Sequence, residues 1–351
     1  MKNRYENLEF QFDLINSKPD DYKPSSFWKD ALIKINETYK KDGIFGFRSD
    51  RVNLGYFVPT YGSPGNGFEK GIIKKLIGSI GTKATKKQKE YIKTRLDGSQ
   101  HALSDYRVLR VTNKDKDPLD LLSFSESKIG DPIEHFCFEK KWFSRSSLNY
   151  LLGLSLLYKI DPHFKPKNIL EIGGGFGTLA EIFGKSSLTG FKYLDLDLPP
   201  MFLIAKDYIS LCFKDKLAIS ITKEIPDGKF TFGDLGTFSF LPNWKLEDLE
   251  DTIDLFVNFI SFQEMEPSIV RNYANHIQRL GPKYILLRNM REGKQIASRT
   301  SVGVLTPILK EDYLKFFDKY VIIESNVLEY GFQTVDGFNS ELLILKRNND
   351  I

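Results

Sequence analysis

An acidic residue followed by closely spaced glycines is the stretch of this sequence with the clearest chemical meaning. Residues 168–183 read NILEIGGGFGTLAEIF, in which Glu171 precedes Gly173, Gly174, Gly175 and Gly177. The apolar residues before the glycines predict a strand, and the pattern after them predicts a helix. Glycine permits positive φ and lets a ligand approach the main chain, and the amides at a helix start point to the same place. The stretch therefore predicts a ligand site where the strand ends.

The residues around the glycines separate two classes of ligand. Dinucleotide sites carry G-x-G-x-x-G, whereas the sixth position counted from Gly173 is Thr178. A carboxylate at position 171 would repel a diphosphate and attract an ammonium group. S-adenosylmethionine (SAM) carries an ammonium, a carboxylate and a sulfonium, and it has no phosphate. SAM is the favoured cofactor, and NAD(P) is the alternative because Asp197 follows at a spacing that suits a ribose-binding acid.

Strands and helices alternate from Pro166 onward. The predicted strands cover 168–172, 191–196, 217–221, 254–260, 283–288, 319–326 and 340–346. This alternation predicts a parallel sheet covered on both faces, in which ligands bind beyond the carboxyl ends of the strands. The connection VLEYGFQTVDGFN is too short for a crossover helix, so we expect the last two strands to pair antiparallel.

Residues 1–165 lack this alternation and form a separate region. A Ser cap and helical spacing predict a helix over 25–43, and 45–68 has the composition of a long loop. The basic segment 74–95 is interpreted as a solvated helix. The apolar stripe of 144–160 predicts a helix that packs against the next domain. We expect two domains, 1–165 and 166–351.

Composition limits the classes of partner. The 351 residues include 50 basic and 46 acidic side chains, a net charge of +4, which argues against nucleic acid. Cys137 and Cys212 lie far apart, and no set of His and Asp ligands has metal-binding spacing, so no metal is predicted. The N-terminus is too charged for a secretory signal, and no apolar run reaches the length of a membrane span. We expect a cytoplasmic protein, and oligomerisation stays open.

The glycine motif resembles the first motif of the class I SAM-dependent methyltransferases, E/D-x-G-x-G-x-G. FKYLDLDLPP (191–200) is similar to the second strand of that class, and FTFGDLGTF (230–238) is similar to its Gly-Asp element. The resemblance implies an α/β, Rossmann-like sheet that is mostly parallel, with seven strands, an antiparallel last pair and a mainly helical N-terminal extension. It also implies that Asp197, or else Asp195, binds the ribose hydroxyls beside Leu198, and that Asp234 meets the adenine amino group.

Three segments, ILEIGGGFG, LDLP and VNFISFQEM…Y, together resemble a narrower family, the sugar O-methyltransferases. That resemblance implies a sugar or glycoside hydroxyl as the methyl acceptor. Methyltransferases of nucleic-acid bases usually carry an Asn/Asp-Pro-Pro-aromatic motif after the fourth strand, where this chain has Asn258-Phe-Ile-Ser-Phe. An NAD(P)-dependent oxidoreductase and a non-catalytic Rossmann-like binding module are the alternatives.

A sugar hydroxyl needs a base, and Glu264 is the candidate because it follows the fourth predicted strand. Ser261 to Glu264 fits a helix capping box equally well, and Asp195 is a second candidate base. Five further residues are proposed to contact the acceptor. They are Arg288 and Asn289 after the fifth strand, and Tyr56, Tyr61 and Trp142 as stacking surfaces in the N-terminal half. That half would serve as lid and acceptor pocket.

Overall fold

The computed structural model describes residues 10–25, 27–50, 54–56, 70–80, 84–298, 303–333 and 337–348. Within these ranges the N-terminal half is mainly helical, and the C-terminal half forms one large sheet with helices on both faces. The mixed α/β class predicted from the sequence is confirmed.

Besides short helical stretches at 10–16, 20–22 and 54–56, the described part of the N-terminal half begins with four longer helices. They are α1 (Lys29–Gly46), α2 (Lys70–Ser79), α3 (Lys86–Leu96) and α4 (Ser99–Thr112). The segment 74–95, interpreted as one solvated helix, is divided between α2 and α3. Thr85 and Gln88 cap α3 reciprocally, and α3 has no buried residue. A small hairpin of β1 (Phe136–Phe138) and β2 (Lys141–Phe143) follows. It leads into α5 (Arg145–Ile160), which begins at a capping box formed by Ser144 and Ser147.

The C-terminal half contributes eight strands to the main sheet. They are β3 (Asn168–Ile172), β4 (Lys192–Asp197), β5 (Phe238–Pro242), β6 (Leu255–Phe259), β7 (Tyr284–Met290), β8 (Tyr320–Asn326), β9 (Phe332–Gln333) and β10 (Asn339–Arg347). Seven of them follow the order β5-β4-β3-β6-β7-β10-β8, and the short β9 pairs with β10. The strands β3 to β7 pair in parallel. The predicted antiparallel pairing of the last two long strands is confirmed, and β10 is also antiparallel to β7.

This order has a topological switch point between β3 and β6, because the chain proceeds from β3 towards one edge of the sheet and later returns on its other side. Open α/β sheets bind ligands at such a point. The dinucleotide-binding order 3-2-1-4-5-6 has no antiparallel strand inserted before its last strand, whereas β10 lies between β7 and β8 here. The sheet therefore departs from the dinucleotide-binding arrangement at that edge.

The third predicted strand, 217–221, is wrong. The strand at that place in the sheet is β5, which lies in a segment for which no strand was predicted. Residues near 220 only pair with its outer side, through Phe238 N to Ser220 O at 3.0 Å and Thr222 N to Phe238 O at 3.0 Å. All five residues of β5 are buried, whereas Leu217 is fully exposed. The two segments have similar apolar patterns, and burial against β4 distinguishes the one that enters the sheet.

Two hydrophobic clusters cover the sheet, one on each face. In β3, Ile169 belongs to one cluster and Leu170 to the other, as the alternation of a strand requires. The first cluster includes α5, α6 (Thr178–Lys185) and α7 (Met201–Cys212). The second includes α8 (Pro267–Leu280) and α9 (Lys310–Phe316). Among the described residues, no helix combines the length and apolarity that crossing a membrane requires.

A buried arginine joins the two halves of the chain. Arg48 follows α1, has 0% exposure and lies 2.6 Å from Glu126 and 2.5 Å from Glu134 through Nη2. Its guanidinium lies 4.5 Å from the ring centroid of Phe176, which is part of the glycine segment. The N-terminal half is thereby packed directly against the loop that follows β3.

Glu126, Glu134 and His135 are close enough to hold a metal ion. Arg48 already lies among them, with His135 Nε2 at 3.0 Å from its Nη2. Its positive charge supplies what a bound cation would supply, so this cluster is no argument for a metal. The expectation that no metal is required stays a prediction.

Candidate functional site

A cavity of about 380 Å³ lies at the carboxyl ends of β3, β4 and β6, at the switch point. The glycine segment and residues of the N-terminal half line it together. The segment contributes Gly173, Gly174, Gly175, Phe176 and Thr178, and the N-terminal half contributes Lys23, Ser25, Phe27, Trp28, Gly55 and Tyr56. Four residues of α5 complete that side: Arg145, Ser146, Asn149 and Tyr150.

The glycine segment forms a tight loop between β3 and α6. Gly173 has φ +76°, and a Cβ there would lie 2.3 Å from the hydroxyl of Ser261. A Cβ on Gly174 would lie 2.7 Å from Glu171 Oε2 and 2.8 Å from Asp195 Oδ1. Glycine is therefore needed at 174 because two carboxylates approach the main chain from behind, and at 173 because of both its φ and its neighbour.

Three carboxylates lie against this loop: Glu171 and Asp195 are fully buried beneath it, and Asp197 is partly buried at the cavity wall. We refer to Glu171, Asp195 and Asp197 as the carboxylate layer. Asp195 Oδ1 accepts a hydrogen bond from Gly174 N at 3.0 Å, and Asp195 Oδ2 is buried without a partner. Within the described parts of the chain, no lysine, arginine or histidine forms an ion pair with any of the three. The layer therefore has no cation of the protein beside it, and a cationic ligand would favour its ionised form.

Burial raises the pKa of each carboxyl in the layer. The pKa of Glu171 is raised to about 7 by burial and by the charge of Asp197, against the lowering effect of its tyrosine hydrogen bonds. Burial likewise raises the pKa of Asp197 to about 7. The pKa of Asp195 is raised well above its usual range by burial and by its two acidic neighbours. Like charges crowded out of water hold protons to higher pH.

Glu171 does not line the cavity. Its Oε1 accepts a hydrogen bond from Tyr150 OH at 2.7 Å, and its Oε2 accepts one from Tyr193 OH. The direct contact with a ligand ammonium group that the sequence suggests is therefore not seen. Glu171 lies behind the residues that line the cavity, and its charge, when ionised, acts on the cavity from there.

Asp197 lies at the cavity wall where β4 ends, beside Leu198. Its Oδ2 accepts a hydrogen bond from Gly175 N at 3.1 Å, and its Oδ1 accepts one from Leu198 N at 2.7 Å. Each carboxylate oxygen has capacity for a further donor. Asp195, the alternative, is fully buried behind the loop, so the structure favours Asp197 for a contact with ligand hydroxyls.

Asp234 is not at the cavity. It lies in an exposed turn, where its Oδ2 accepts hydrogen bonds from the Thr231 N and Thr231 Oγ1 donors, both at 2.8 Å. Its position does not support the expected contact with the adenine amino group, because the residue precedes β5 and its turn lies away from the carboxyl end of the strand. The cavity residue that follows β5 is Asn243.

Asn243 has the geometry of a ligand contact. It is 3% exposed, and its Nδ2 donates to Tyr22 O at 2.9 Å and to Tyr273 OH at 2.8 Å. Its Oδ1 is buried without a partner. Because both N–H groups are used, the side-chain orientation is fixed and leaves an acceptor for a ligand N–H or O–H.

Glu264 lines the cavity with 7% exposure. Its Oε1 lies 2.6 Å from Lys294 Nζ, and its carbonyl oxygen accepts a hydrogen bond from Ser25 Oγ at 2.7 Å. The capping interpretation is wrong. The turn Ser261–Glu264 has no side-chain cap, and the Ser261 hydroxyl donates to Ile172 O at 3.1 Å instead.

Of the five residues expected to contact the methyl acceptor, the structure places one at the cavity. Tyr56 lines the cavity, and Tyr61 lies outside the described residues. Trp142 belongs to the hairpin, with Lys128 Nζ 3.9 Å from its ring centroid, and it does not line the cavity. Neither Arg288 nor Asn289 reaches the wall.

Arg288 and Asn289 instead form hydrogen bonds to residues that line the cavity. Arg288 Nε donates to the Ser340 hydroxyl at 3.2 Å, and Ser340 is a lining residue. Asn289 Oδ1 accepts a hydrogen bond from Gln263 N at 3.3 Å. Both side chains are buried, because the residues of β7 lie between two neighbouring strands rather than in a loop.

Sequence reasoning missed the contribution of α5 and of the loop after β7. Tyr150 stacks on Phe259 at 4.6 Å between ring centroids, and Lys294 contacts Glu264 from the loop. The polar residues Arg145, Ser146 and Asn149 interrupt the apolar start of α5, which is the only sequence feature that indicated them. Their meaning depends on the cavity, which the sequence does not show.

The site combines a glycine loop, the carboxylate layer beneath it, and side-chain oxygens of Asp197 and Asn243 that can accept hydrogen bonds from a ligand. A pyrophosphate would be repelled by the layer, whereas a cationic ligand would be stabilised by it. Asp197 and Asn243 follow the neighbouring strands β4 and β5, so one ligand moiety can contact both. The arrangement fits a cation with hydroxyl and amino groups at one end.

No protein-family model matches the chain, and no curated protein matches it. Among solved structures, the chain is similar to magnesium protoporphyrin IX methyltransferase (ChlM) from Synechocystis PCC 6803 with bound SAM, at 12% identity and a TM-score of 0.39, covering 58% of this chain and 81% of that chain. It is also similar to the mitomycin 7-O-methyltransferase MmcR, at 13% identity and a TM-score of 0.38, covering 58% of this chain and 55% of that chain.

A third similar structure is a SAM-dependent methyltransferase from Clostridium acetobutylicum ATCC 824, at 11% identity and a TM-score of 0.38, covering 57% of this chain and 92% of that chain. Identities and scores of this size describe a partial likeness in fold.

Proposed function

We propose that this chain is a SAM-dependent O-methyltransferase. The observation that carries the proposal is the carboxylate layer beneath a glycine loop at the switch point, without a lysine, arginine or histidine paired to it among the described residues. This electrostatic environment suits the ammonium and sulfonium groups of SAM and opposes a pyrophosphate. The antiparallel β10 between β7 and β8 also agrees with the sheet implied by the sequence resemblance.

The residues present fit SAM at three points. Asp197 is assigned to the ribose hydroxyls, because its carboxylate lies at the end of β4. Asn243 is assigned to the adenine amino group, because its buried Oδ1 lacks a donor. The loop Gly173–Gly175 is assigned to the methionine end, where the carboxylate layer below can stabilise an ammonium group.

SAM, when bound, would supply a methyl group on a sulfonium: the acceptor oxygen would bond to the methyl carbon as the carbon–sulfur bond breaks, S-adenosylhomocysteine would leave, and the hydroxyl proton would pass to a base of the chain. The chain would hold the two reactants about 3 Å apart. Its aromatic wall of Phe27, Trp28 and Tyr56 would exclude water from the acceptor side. We assign the N-terminal half to the acceptor pocket, because these residues belong to it.

Glu264 is proposed as the base that takes the proton of the hydroxyl. It lines the cavity after β6, and Lys294 holds its carboxylate in place at 2.6 Å. We propose a sugar or glycoside as the acceptor. The aromatic and hydrogen-bonding residues on this side suit such an acceptor, and the family resemblance of the sequence supports it.

Ligand-induced stabilisation tests the cofactor. SAM at about 100 times its dissociation constant should stabilise the protein by about 2.7 kcal/mol through mass action. NADH at the same concentration should leave the melting temperature unchanged. Stabilisation by NADH, or no stabilisation by SAM, would overturn the assignment.

A conservative substitution tests the base. Glu264→Gln should lower the turnover number by about 10²- to 10⁴-fold, because a positioned base contributes that much, and it should leave SAM affinity nearly intact. Methyl transfer is measured by mass spectrometry as the addition of one methylene mass to an acceptor. Glu90→Gln, in the exposed helix α3, is the matched control. Unchanged turnover in Glu264→Gln would exclude this residue as the base.

A further inference from the structure

The side of the cavity formed by α5 is basic, in contrast to the carboxylate layer under the loop. Arg145 is the first residue of α5, and it lines the cavity together with Ser146 and Asn149. A helix of 16 residues carries partial positive charge at its N-terminus. Arg145 adds a full positive charge at the same place, so this wall favours an anion.

The position of Arg145 separates it from the ribose site. Its guanidinium lies 4.3 Å from the ring centroid of Phe332, and Phe332 pairs in β9 with Ser340 of β10. Asp197 is in β4 and Ser340 is in β10. The order β4-β3-β6-β7-β10 places four strand spacings, or about 19 Å, between these two strands. Arg145 therefore lies at the opposite end of the cavity from the residue assigned to the ribose.

The side chain of Asn149 is a second, independent indication of a ligand at this wall. Asn149 lies one turn after Arg145 on the same side of α5, with 3% exposure. Its Oδ1 is buried and has no hydrogen-bond partner. A buried acceptor without a donor is costly unless a ligand supplies the donor. A hydroxyl group next to an anionic group would satisfy both Asn149 and Arg145.

We infer that the methyl acceptor carries an anionic group, a phosphate or a carboxylate, which binds Arg145 at the start of α5 while a neighbouring hydroxyl donates to Asn149. This inference rests on the proposed function and narrows its acceptor class to phosphorylated or acidic sugars. A guanidinium stacked on an aromatic ring keeps its donors in one plane, which suits the paired oxygens of either group.

Three matched sugars test the inference by calorimetry. Glucose 1-phosphate, glucuronate and glucose are titrated into protein saturated with S-adenosylhomocysteine. The wild type should bind at least one anionic sugar about tenfold or more tighter than glucose, and the tighter of the two identifies the anionic group. Arg145→Gln should abolish that preference, Arg145→Lys should keep part of it, and Arg95→Gln, in exposed helix α3, should keep all of it.

Three outcomes would overturn the inference. They are equal or absent binding of all three sugars by the wild type, an anion preference that persists in Arg145→Gln, and weaker binding of S-adenosylhomocysteine in Arg145→Gln. The last would show that Arg145 holds the carboxylate of the cofactor, and the proposed function would stand. Failure of the wild type to bind S-adenosylhomocysteine would instead refute the proposed function itself, and the inference with it.

Discussion

Asp197 and Asp234 make a matched pair at the scale of single residues, because the sequence assigned both to the cofactor and the structure places only one at the cavity. Asp197→Asn removes a charged acceptor from the ribose site and should weaken SAM binding by about 10- to 100-fold. Asp234→Asn should leave SAM binding unchanged. Calorimetric titration of both variants with SAM provides the measurement, and equal losses would contradict the assignment of Asp197.

The carboxylate layer predicts how stability depends on pH. The pKa of Glu171 is raised to about 7 in the folded protein, above the value near 4.3 of an unfolded chain. Its contribution to stability is therefore fully present below the unfolded pKa and is lost as the pH rises through about 7. The melting temperature of the ligand-free protein should fall between about pH 5 and pH 8.

Glu171→Gln isolates this contribution, because glutamine cannot ionise and keeps acceptor and donor groups for Tyr150 and Tyr193. The fall in melting temperature across this pH range should be smaller in the variant than in the wild type. Differential scanning calorimetry of both proteins in the same buffers provides the comparison. An identical fall would show that Glu171 does not titrate there.

At the scale of elements, the loop between β3 and α6 depends on close approach rather than on flexibility. Gly174→Ala would place a Cβ 2.7 Å from Glu171 Oε2 and 2.8 Å from Asp195 Oδ1. The overlap should destabilise the protein by about 1–3 kcal/mol. Urea unfolding measures the change in free energy.

Gly78→Ala is the control, because Gly78 lies in helix α2 with open space around its Cβ position. Alanine favours a helix over glycine by about 1 kcal/mol, so this variant should be no less stable than the wild type. A Gly174→Ala variant as stable as Gly78→Ala would contradict the close packing of the carboxylate layer against the loop.

At the scale of the whole molecule, Arg48 joins the N-terminal half to the glycine loop through Glu126, Glu134 and the ring of Phe176. Arg48→Met would leave two buried carboxylates without their cation. Removing one partner of a buried ion pair costs about 3–5 kcal/mol, and the free energy of unfolding should fall by that amount. Urea denaturation followed by circular dichroism measures the loss.

Lys229→Met is the comparison for Arg48→Met. Lys229 pairs with Glu250 at the surface, and both side chains are at least half exposed. Exposed pairs contribute little to stability because water screens them, so the free energy of unfolding should be nearly unchanged. A loss as small in Arg48→Met would show that the two halves do not depend on this cluster.

The sequence by itself determined the fold class, six of the seven long strands and the place of the ligand site. These features follow from local patterns, since apolar periodicity specifies strands and helices, and glycine residues mark tight main-chain turns. The parallel sheet and its switch point then fix which ends of the strands meet. Glu264, predicted from its place after a strand, and Asp197, implied by the sequence resemblance, both line the cavity.

Only the tertiary structure decided which side chains face the cavity. The two apolar segments near 219 and 240 are equivalent in pattern, and burial against β4 selected the second, so that Asn243 and not Asp234 lines the cavity. The places of Glu171, Arg145 and Asn149 likewise depend on contacts between segments far apart in the chain. Burial and electrostatic environment arise from such contacts, and local sequence patterns do not encode them.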